Sequence, residues 1–328
     1  MGTVHFVQKS FGKVVCASLF AVLTIFGFTF QACAGSYPEK PIEFVVAYSA
    51  GGGTDVGARI LTKVAQKYIP QPLSVLNKPG AGGEIGFTEL AKSKPDGYRI
   101  GFINQPTTIL LPLSRKTGYE MSDFKYIINV ALDPGVLAVK ADSPIKSLED
   151  FLATAKAKPG ELTIANAGVG SDAHISTIDL QNKSGIQVTP VPFKGTKGSR
   201  TAALGGHVDA VIMKVGESKT YVNSGQVRVL AVMAEERVSD FPDVPTFKEK
   251  GIDLQMASCR AVAGPKDMPD ETVAYLHDKL KQTLEDPEFI ELMAKTGIPV
   301  VYMNPEQLEA YSNSLIGKYS ELWKQVGQ

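Results

Sequence analysis

Three cysteines in 328 residues leave little material for a disulfide framework. Cys16 and Cys33 fall in an N-terminal stretch expected to be removed, so Cys259 remains alone and stability must come from burial. An excess of one charge is also missing: 34 Lys and Arg stand against 34 Asp and Glu. Lys9 and Lys13 belong to the N-terminal stretch, which holds no acid, so the rest of the chain is slightly acidic. This balance excludes the basic surface that a nucleic-acid partner requires. Beyond residue 34 no apolar run is long enough to cross a bilayer. His207 and His277 keep no ligand spacing with cysteine or with each other, so neither a metal nor another cofactor is expected.

The N-terminal stretch itself has the form of a secretory leader. Two lysines precede an apolar run over residues 14–30, and Ala32-Cys-Ala34 matches a small-x-small cleavage site. Cleavage after Ala34 would place the mature protein in the periplasm. A retained anchor fits less well because the apolar run is short, and Phe30-Gln-Ala-Cys33 is a poor lipoprotein signal, leaving acylation at Cys33 as a weaker alternative.

What the chain does have is three glycine-rich turns, each between an apolar strand and a helix. They are Tyr48-Ser-Ala-Gly-Gly-Gly-Thr-Asp55, Asn77-Lys-Pro-Gly-Ala-Gly-Gly-Glu-Ile-Gly86 and Asn166-Ala-Gly-Val-Gly-Ser-Asp-Ala-His174. A helix start carries unpaired N–H groups and a partial positive charge, and glycine lets an anion approach the backbone. Three such turns point to a small acid held mainly by main-chain amides. Nucleotide templates do not fit: Gly51-Gly-Gly53 lacks the further glycine of a dinucleotide site, and no Lys-Ser/Thr pair closes a P-loop.

Around these turns strand and helix signals alternate. Residues 42–48, 56–69, 73–76, 85–91 and 99–103 read as a βαβαβ unit. After Asp133-Pro-Gly135 the pattern starts afresh, with strands at 136–140, 162–165, 187–192, 210–213 and 227–233 and helices at 148–157, 173–184 and 199–204. The remainder reads as largely helical, with apolar stripes after Pro269 and after Asn304. In open α/β sheets ligands bind beyond the carboxyl ends of the strands, where the first two turns fall.

Single residues admit two readings each. Asp55 is either a local cap or an acceptor for a ligand hydroxyl or water, and Arg59, four residues on, is accounted for by pairing with it. Ser171 and His174 suggest a nucleophile and base, but there is no G-x-S-x-G elbow and no third acid is identifiable. No enzyme activity is therefore expected. Ser171 is better read as a hydroxyl and N–H donor to a carboxylate, and His174 as lining the site or capping locally. Four or five charge-assisted hydrogen bonds of roughly 1.5–3 kcal/mol each, less several kcal/mol for burying the carboxylate, leave about −8 kcal/mol, a dissociation constant of about 1 μM.

With these residues in view, the chain resembles the substrate-binding proteins of tripartite tricarboxylate transporters, the Bug receptor family. The likeness rests on Tyr37-Pro-Glu-Lys-Pro-Ile42, the three turns, Pro95-Asp-Gly-Tyr98, Pro192-Phe-Lys-Gly195, Gly206-His-Val-Asp-Ala210, Val229-Leu-Ala-Val232 and Pro242-Asp-Val-Pro-Thr246, all in order. The resemblance implies an α/β periplasmic binding protein of type II topology, two-lobed, with two hinge crossings and a ligand cleft between lobes. Residues 35–134 and 257–328 would form one lobe and 135–256 the other. The partners implied are a small organic carboxylate and membrane permease subunits, with the receptor a monomer.

Carried onto this chain, the implied ligand-binding residues are Tyr48, Ser49, Ala50, Gly51, Gly52, Thr54 and Asp55 from the first turn, and Asn166, Gly168, Gly170, Ser171 and His174 from the third. Gly82, Gly83, Gln105, Thr107 and Thr108 are further lining, and Lys194, Gly195 and Thr196 a second-lobe wall. Arg260 either reaches a second acidic group of the ligand or pairs with a carboxylate near the hinge. A periplasmic sensor subunit remains an alternative to a transport receptor, and a secreted Ser/His hydrolase a weaker one.

Overall fold

The computed structural model describes residues 1–2, 37–193 and 195–325. The expected cleavage site, the bulk of the leader and Lys194 therefore lie outside the described residues. The fold below is that of the unit beginning at Lys40.

Strand β1 (Ile42–Val46), helix α1 (Gly53–Ala65), β2 (Leu73–Asn77), α2 (Glu84–Ala91) and β3 (Arg99–Gln105) form the expected βαβαβ unit. β1 pairs in parallel with both β2 and β3, because each helix carries the chain back to the same end of the sheet. Helix α1 buries Ala58, Leu61, Val64 and Ala65, one stripe at helical spacing. Helix α2 seats against β1 through Gly86, where an added Cβ would stand 2.6 Å from the Ala47 Cα.

The strand expected at 136–140 begins earlier in the structure, before Asp133-Pro-Gly135. β4 runs unbroken for 17 residues, Phe124–Lys140. Its first part, to Pro134, pairs with β9 (Ala257–Pro265), and from Gly135 onward it pairs with β7 (Ala210–Lys214) and β8 (Val227–Val232). Proline and glycine are tolerated inside this strand because they fall where it exchanges one partner for the next.

The second half follows expectation more closely: α4 (Leu148–Ala157), β5 (Thr163–Asn166), α5 (Asp172–Ser184), β6 (Thr189–Pro192) and α6 (Thr196–Leu204), with α7 (Val215–Asn223) an added helix. The strand order is β2-β1-β3-β9-β4-β7-β5-β6, and β10 (Val300–Met303) also joins β4. Strands β9 and β10 lie in the stretch read as largely helical. β9 is short-chained and buried almost throughout, so it shows no alternation.

Helices α8 (Asp270–Glu285), α9 (Pro287–Thr296) and α10 (Pro305–Trp323) complete the chain. One core surrounds Leu137, Phe151, Ile164 and Phe247, and another Phe87, Tyr119 and Leu308. A smaller cluster of Ile109, Leu110, Ile175, Tyr319 and Leu322 joins α3 (Thr107–Ser114), α5 and α10. Among the described residues no helix is long and apolar enough to cross a membrane.

Candidate functional site

The first turn is shaped by one carboxylate. Asp55, 2% exposed, accepts the Gly51 N–H at 2.8 Å and Arg59 Nε at 2.9 Å on one oxygen, and Asn77 Nδ2 at 2.9 Å on the other. Asn77 also donates to the Tyr48 carbonyl at 3.0 Å. Burial alone would raise the Asp55 pKa, but the bonds from Arg59, Gly51 and Asn77 outweigh it and hold the carboxyl below its ordinary value. The carboxylate thus works inward, fixing the loop, and the ion pair expected for Arg59 is present.

Ser49, Ala50, Gly51, Gly52 and Gly53 remain exposed, and Thr54 is partly so. No side chain of the N-cap residue Gly52 closes the start of α1. Helix α5 differs, since Ser171 caps it. The first-turn amides of α1 are thus without a side-chain cap, as are those of α2 and of the helices starting at Thr107 and Thr196, with the partial positive charge of a helix start behind them.

Tyr48 ties the surrounding parts together. Its ring meets Phe87 edge-on at 6.1 Å, Phe87 meets Tyr119 at 5.9 Å, and Tyr119 meets Phe124 at 5.5 Å. Such contacts contribute about 0.5–1.5 kcal/mol each beyond burial, so the ring is a rigid floor. Gly83, at φ 108°, would place a Cβ 3.4 Å from that ring, and Gly82 lies beside Leu111. Burial pushes the Tyr48 hydroxyl up to about 12, moderated by a hydrogen bond with Thr107 and by the charge of Arg260, and augmented by that of Asp172. The first turn, the second turn and the start of α3 thus converge on Tyr48, within electrostatic reach of Asp172 and Arg260.

The third turn is bonded to itself more than its sequence suggests. Asn166 Oδ1 accepts the Gly168 N–H at 3.0 Å, His174 Nδ1 accepts the Gly170 N–H at 3.0 Å, and Ser171 Oγ accepts the His174 N–H at 3.2 Å. The Ser171 N–H donates to the Gly168 carbonyl. Of the two readings of His174, local capping is the one observed, and neither the ring nor the Ser171 hydroxyl is bonded to the other. Burial lowers the His174 pKa, which keeps Nδ1 unprotonated and able to accept. The Gly195 N–H donates to the Ala167 carbonyl at 3.1 Å, tying Gly195 and Thr196 to this turn.

Gln105 and Thr108 are not brought to the exposed turns. Both are fully buried; Gln105 donates to Ser312 Oγ at 2.8 Å and Thr108 to the Asn104 carbonyl. Arg260, 6% exposed, pairs with Asp133 through Nη2 at 3.3 Å, and the same nitrogen lies 3.3 Å from where a Gly53 Cβ would be. A guanidinium thus stands at the first turn of α1. Arg260 is thus paired with a carboxylate, yet its Nε and Nη1 have no partner.

Among the described residues, the buried side-chain polar atoms left without a partner all belong to Asn104, Gln105, Asn166 and Arg260. Native interiors satisfy such groups almost completely, so the set is informative. Gln105 stands beside the Tyr126 hydroxyl; the other three occupy the ends of β3 and β5 and the middle of β9.

Charges near these ends are matched in pairs. Lys214 binds Asp172 at 2.6 Å, and Arg200 pairs with Glu217. Asp133 also accepts the Gly216 N–H at 3.1 Å. Burial pushes the Asp133 carboxyl above its ordinary value, with Arg260 the main opposing influence. Asn104 and Asp133 were missed in the sequence: Asn104 lies inside an apolar strand and Asp133 in an apparent turn, and only the register of β3, β4 and β9 makes them neighbours of Arg260.

Comparison with known proteins agrees with this architecture. The tripartite tricarboxylate transporter family receptor group, TctC, matches residues 57–327. The UPF0065 protein of the gbd 5′ region of Cupriavidus necator is 36% identical over 98% of this chain and 97% of its own length. Protein BugT of Bordetella pertussis is 31% identical over 94% of this chain and 97% of its own. A solved TctC solute-binding protein from Polaromonas is similar at TM-score 0.78 and 32% identity, covering 88% of this chain and 100% of its own. Two Rhodopseudomonas palustris structures, one with adipate (TM-score 0.78, 89% and 98% covered) and one with malate (TM-score 0.75, 88% and 100% covered), are each 26% identical.

Proposed function

The chain belongs to the tripartite tricarboxylate transporter receptor family, and from that premise we propose that it takes up a small organic carboxylate between its glycine turns and presents it to membrane permease subunits. Members are solute-binding receptors of the α/β periplasmic binding protein fold rather than enzymes. In this reading residues 35–134 with 257–328 make one lobe and 135–256 the other, moving about the crossings in β4 and β9. Closure around the ligand shifts a pre-existing equilibrium between open and closed forms. The receptor acts as a periplasmic monomer after loss of residues 1–34.

The observation that carries this reading is the uncapped, exposed start of α1 with the partly unpartnered Arg260 guanidinium against it. An oxyanion supplies the acceptors that both lack. The relatives solved with adipate and malate support the same ligand chemistry. The candidate ligand residues are the exposed members of the first turn, Tyr48 and Thr107, Asn166 and the third turn, and Arg260; Asp55 acts by holding the first turn. Isothermal titration against mono-, di- and tricarboxylates tests the proposal. Binding by at least one acid class is expected, whereas binding of neutral sugars or cationic amines and of no acid would refute it.

A further inference from the structure

A seam of apolar side chains joins parts of the chain that the two-lobe reading assigns to opposite lobes. Ile175 of α5 is fully buried together with Ile109 and Leu110 of α3 and Tyr319 and Leu322 of α10. Beside them, a Gly170 Cβ would stand 2.9 Å from the Trp323 ring. Both flanks lead to the site: Thr107 at the start of α3 is hydrogen-bonded with Tyr48, and α5 begins in the third turn. Movement of the third turn relative to the first therefore works on this seam.

Lys318 of α10 joins the same two parts through charge. Its Nζ donates to the Gln255 carbonyl at 2.6 Å and pairs with Asp179 of α5 at 3.3 Å, and Asn182 donates to Gln325 alongside. Burial lowers the Lys318 pKa, with Asp179 the main opposing influence. Asp179, its side chain 5% exposed, also pairs with Lys183 one helical turn on, so departure of Lys318 leaves no unmatched buried carboxylate. Lys318 itself reaches water easily, being 28% exposed. The contact can be broken and remade without stranding a charge, which suits a surface between moving parts.

Resting on the two-lobe carboxylate reading above, we propose that the seam of α5 against α3 and α10 forms when the lobes close, with Lys318 as its latch, setting ligand affinity from outside the site. Affinity scales with the fraction of molecules in the binding-competent form, so a contact made only in the closed form tightens every ligand by the same factor. The partners of Lys318, Asp179 and Gln255, belong to none of the glycine turns. Lys318 is thus a positioning residue, acting through the lobes rather than on the ligand.

Calorimetric titration of the whole protein and of Lys318→Ala with malate, adipate and citrate, beside acrylamide quenching of Trp323, tests the assignment. Lys318→Ala is expected to weaken every acid that binds by one common factor of about fivefold or more, the range of ordinary coupling between sites. In the unsubstituted protein, saturation with a bound acid should lower the quenching of Trp323. The urea midpoint reads folding, and Lys318→Gln is the second variant if alanine disturbs it. Affinities within about twofold of the unsubstituted protein, the result expected of a static ion pair, overturn the proposal. A loss for some binding acids and not others overturns it too, because it would put Lys318 against the ligand, and so does quenching unaltered at saturation. Each of these leaves the carboxylate reading intact, whereas no binding of any acid to folded protein removes both.

Discussion

At the scale of single residues, two buried charges do different work. Asp55 draws a backbone amide, an arginine and an asparagine onto one carboxylate. Asp55→Asn is expected to cost about 2–3 kcal/mol, the worth of one or two charge-assisted bonds, read as a lowered urea midpoint, and to weaken ligand binding because the first turn loses its shape. The folded-state pKa of Asp55 lies below its unfolded value. Its stabilisation is therefore complete above the ordinary carboxylate range and is lost as pH falls through the depressed value. In the asparagine variant the acid limb of the stability profile should flatten. Arg260 behaves otherwise, because removing it strands Asp133 in the interior. Arg260→Met should cost about 3–5 kcal/mol, and adding Asp133→Asn should recover much of that. Calorimetry should find weak ligand binding in both variants, separating the anchoring role from the structural one.

At the scale of elements, the approach of α2 to β1 and the start of α5 are the sensitive points. A methyl group at Gly86 would collide with the Ala47 backbone, which cannot yield as a side-chain tip does. Gly86→Ala should therefore destabilise by about 1–3 kcal/mol through overpacking, measured by thermal or urea unfolding. The start of α5 depends on His174 accepting the Gly170 N–H in its neutral form. Burial depresses the His174 pKa, so as pH falls below the ordinary histidine value the unfolded state takes up the proton first and the fold loses stability. The protection factor of the Gly170 amide, its exchange rate relative to the unfolded-chain rate at the same pH, should fall over that interval, and His174→Gln should remove the dependence.

At the scale of the whole molecule, the C-terminal helix reaches the third turn. Trp323 is the single tryptophan, and its ring lies 2.9 Å from where a Gly170 Cβ would project. The third turn starts α5, whose Ile175 packs with Tyr319 and Leu322 of α10. If ligand closure moves the third turn against α10, the surroundings of this indole change. Intrinsic fluorescence should shift in intensity or wavelength on saturation with a binding acid. An unchanged spectrum at saturation would show that the third turn and α10 keep their contact throughout, and that closure does not pass between them.

The turns, the alternation around them and the family likeness were readable in the chain because glycine runs, capping residues and helical stripes are local signals. Leu148–Ala157 was bounded correctly for that reason, with Ser147 as its cap. Tertiary structure alone decided that Pro134 and Gly135 lie inside β4, since strand exchange at that point depends on β7, β8 and β9, which are distant in sequence. It alone turned Asp55, Ser171 and His174 toward their own backbones, leaving α1 with open amides. It also set Asn104, Arg260 and Asp133 side by side through register. Hydrogen-bond satisfaction is a property of the packed interior, and no spacing of residues along a chain can state which polar atoms will be left for a ligand.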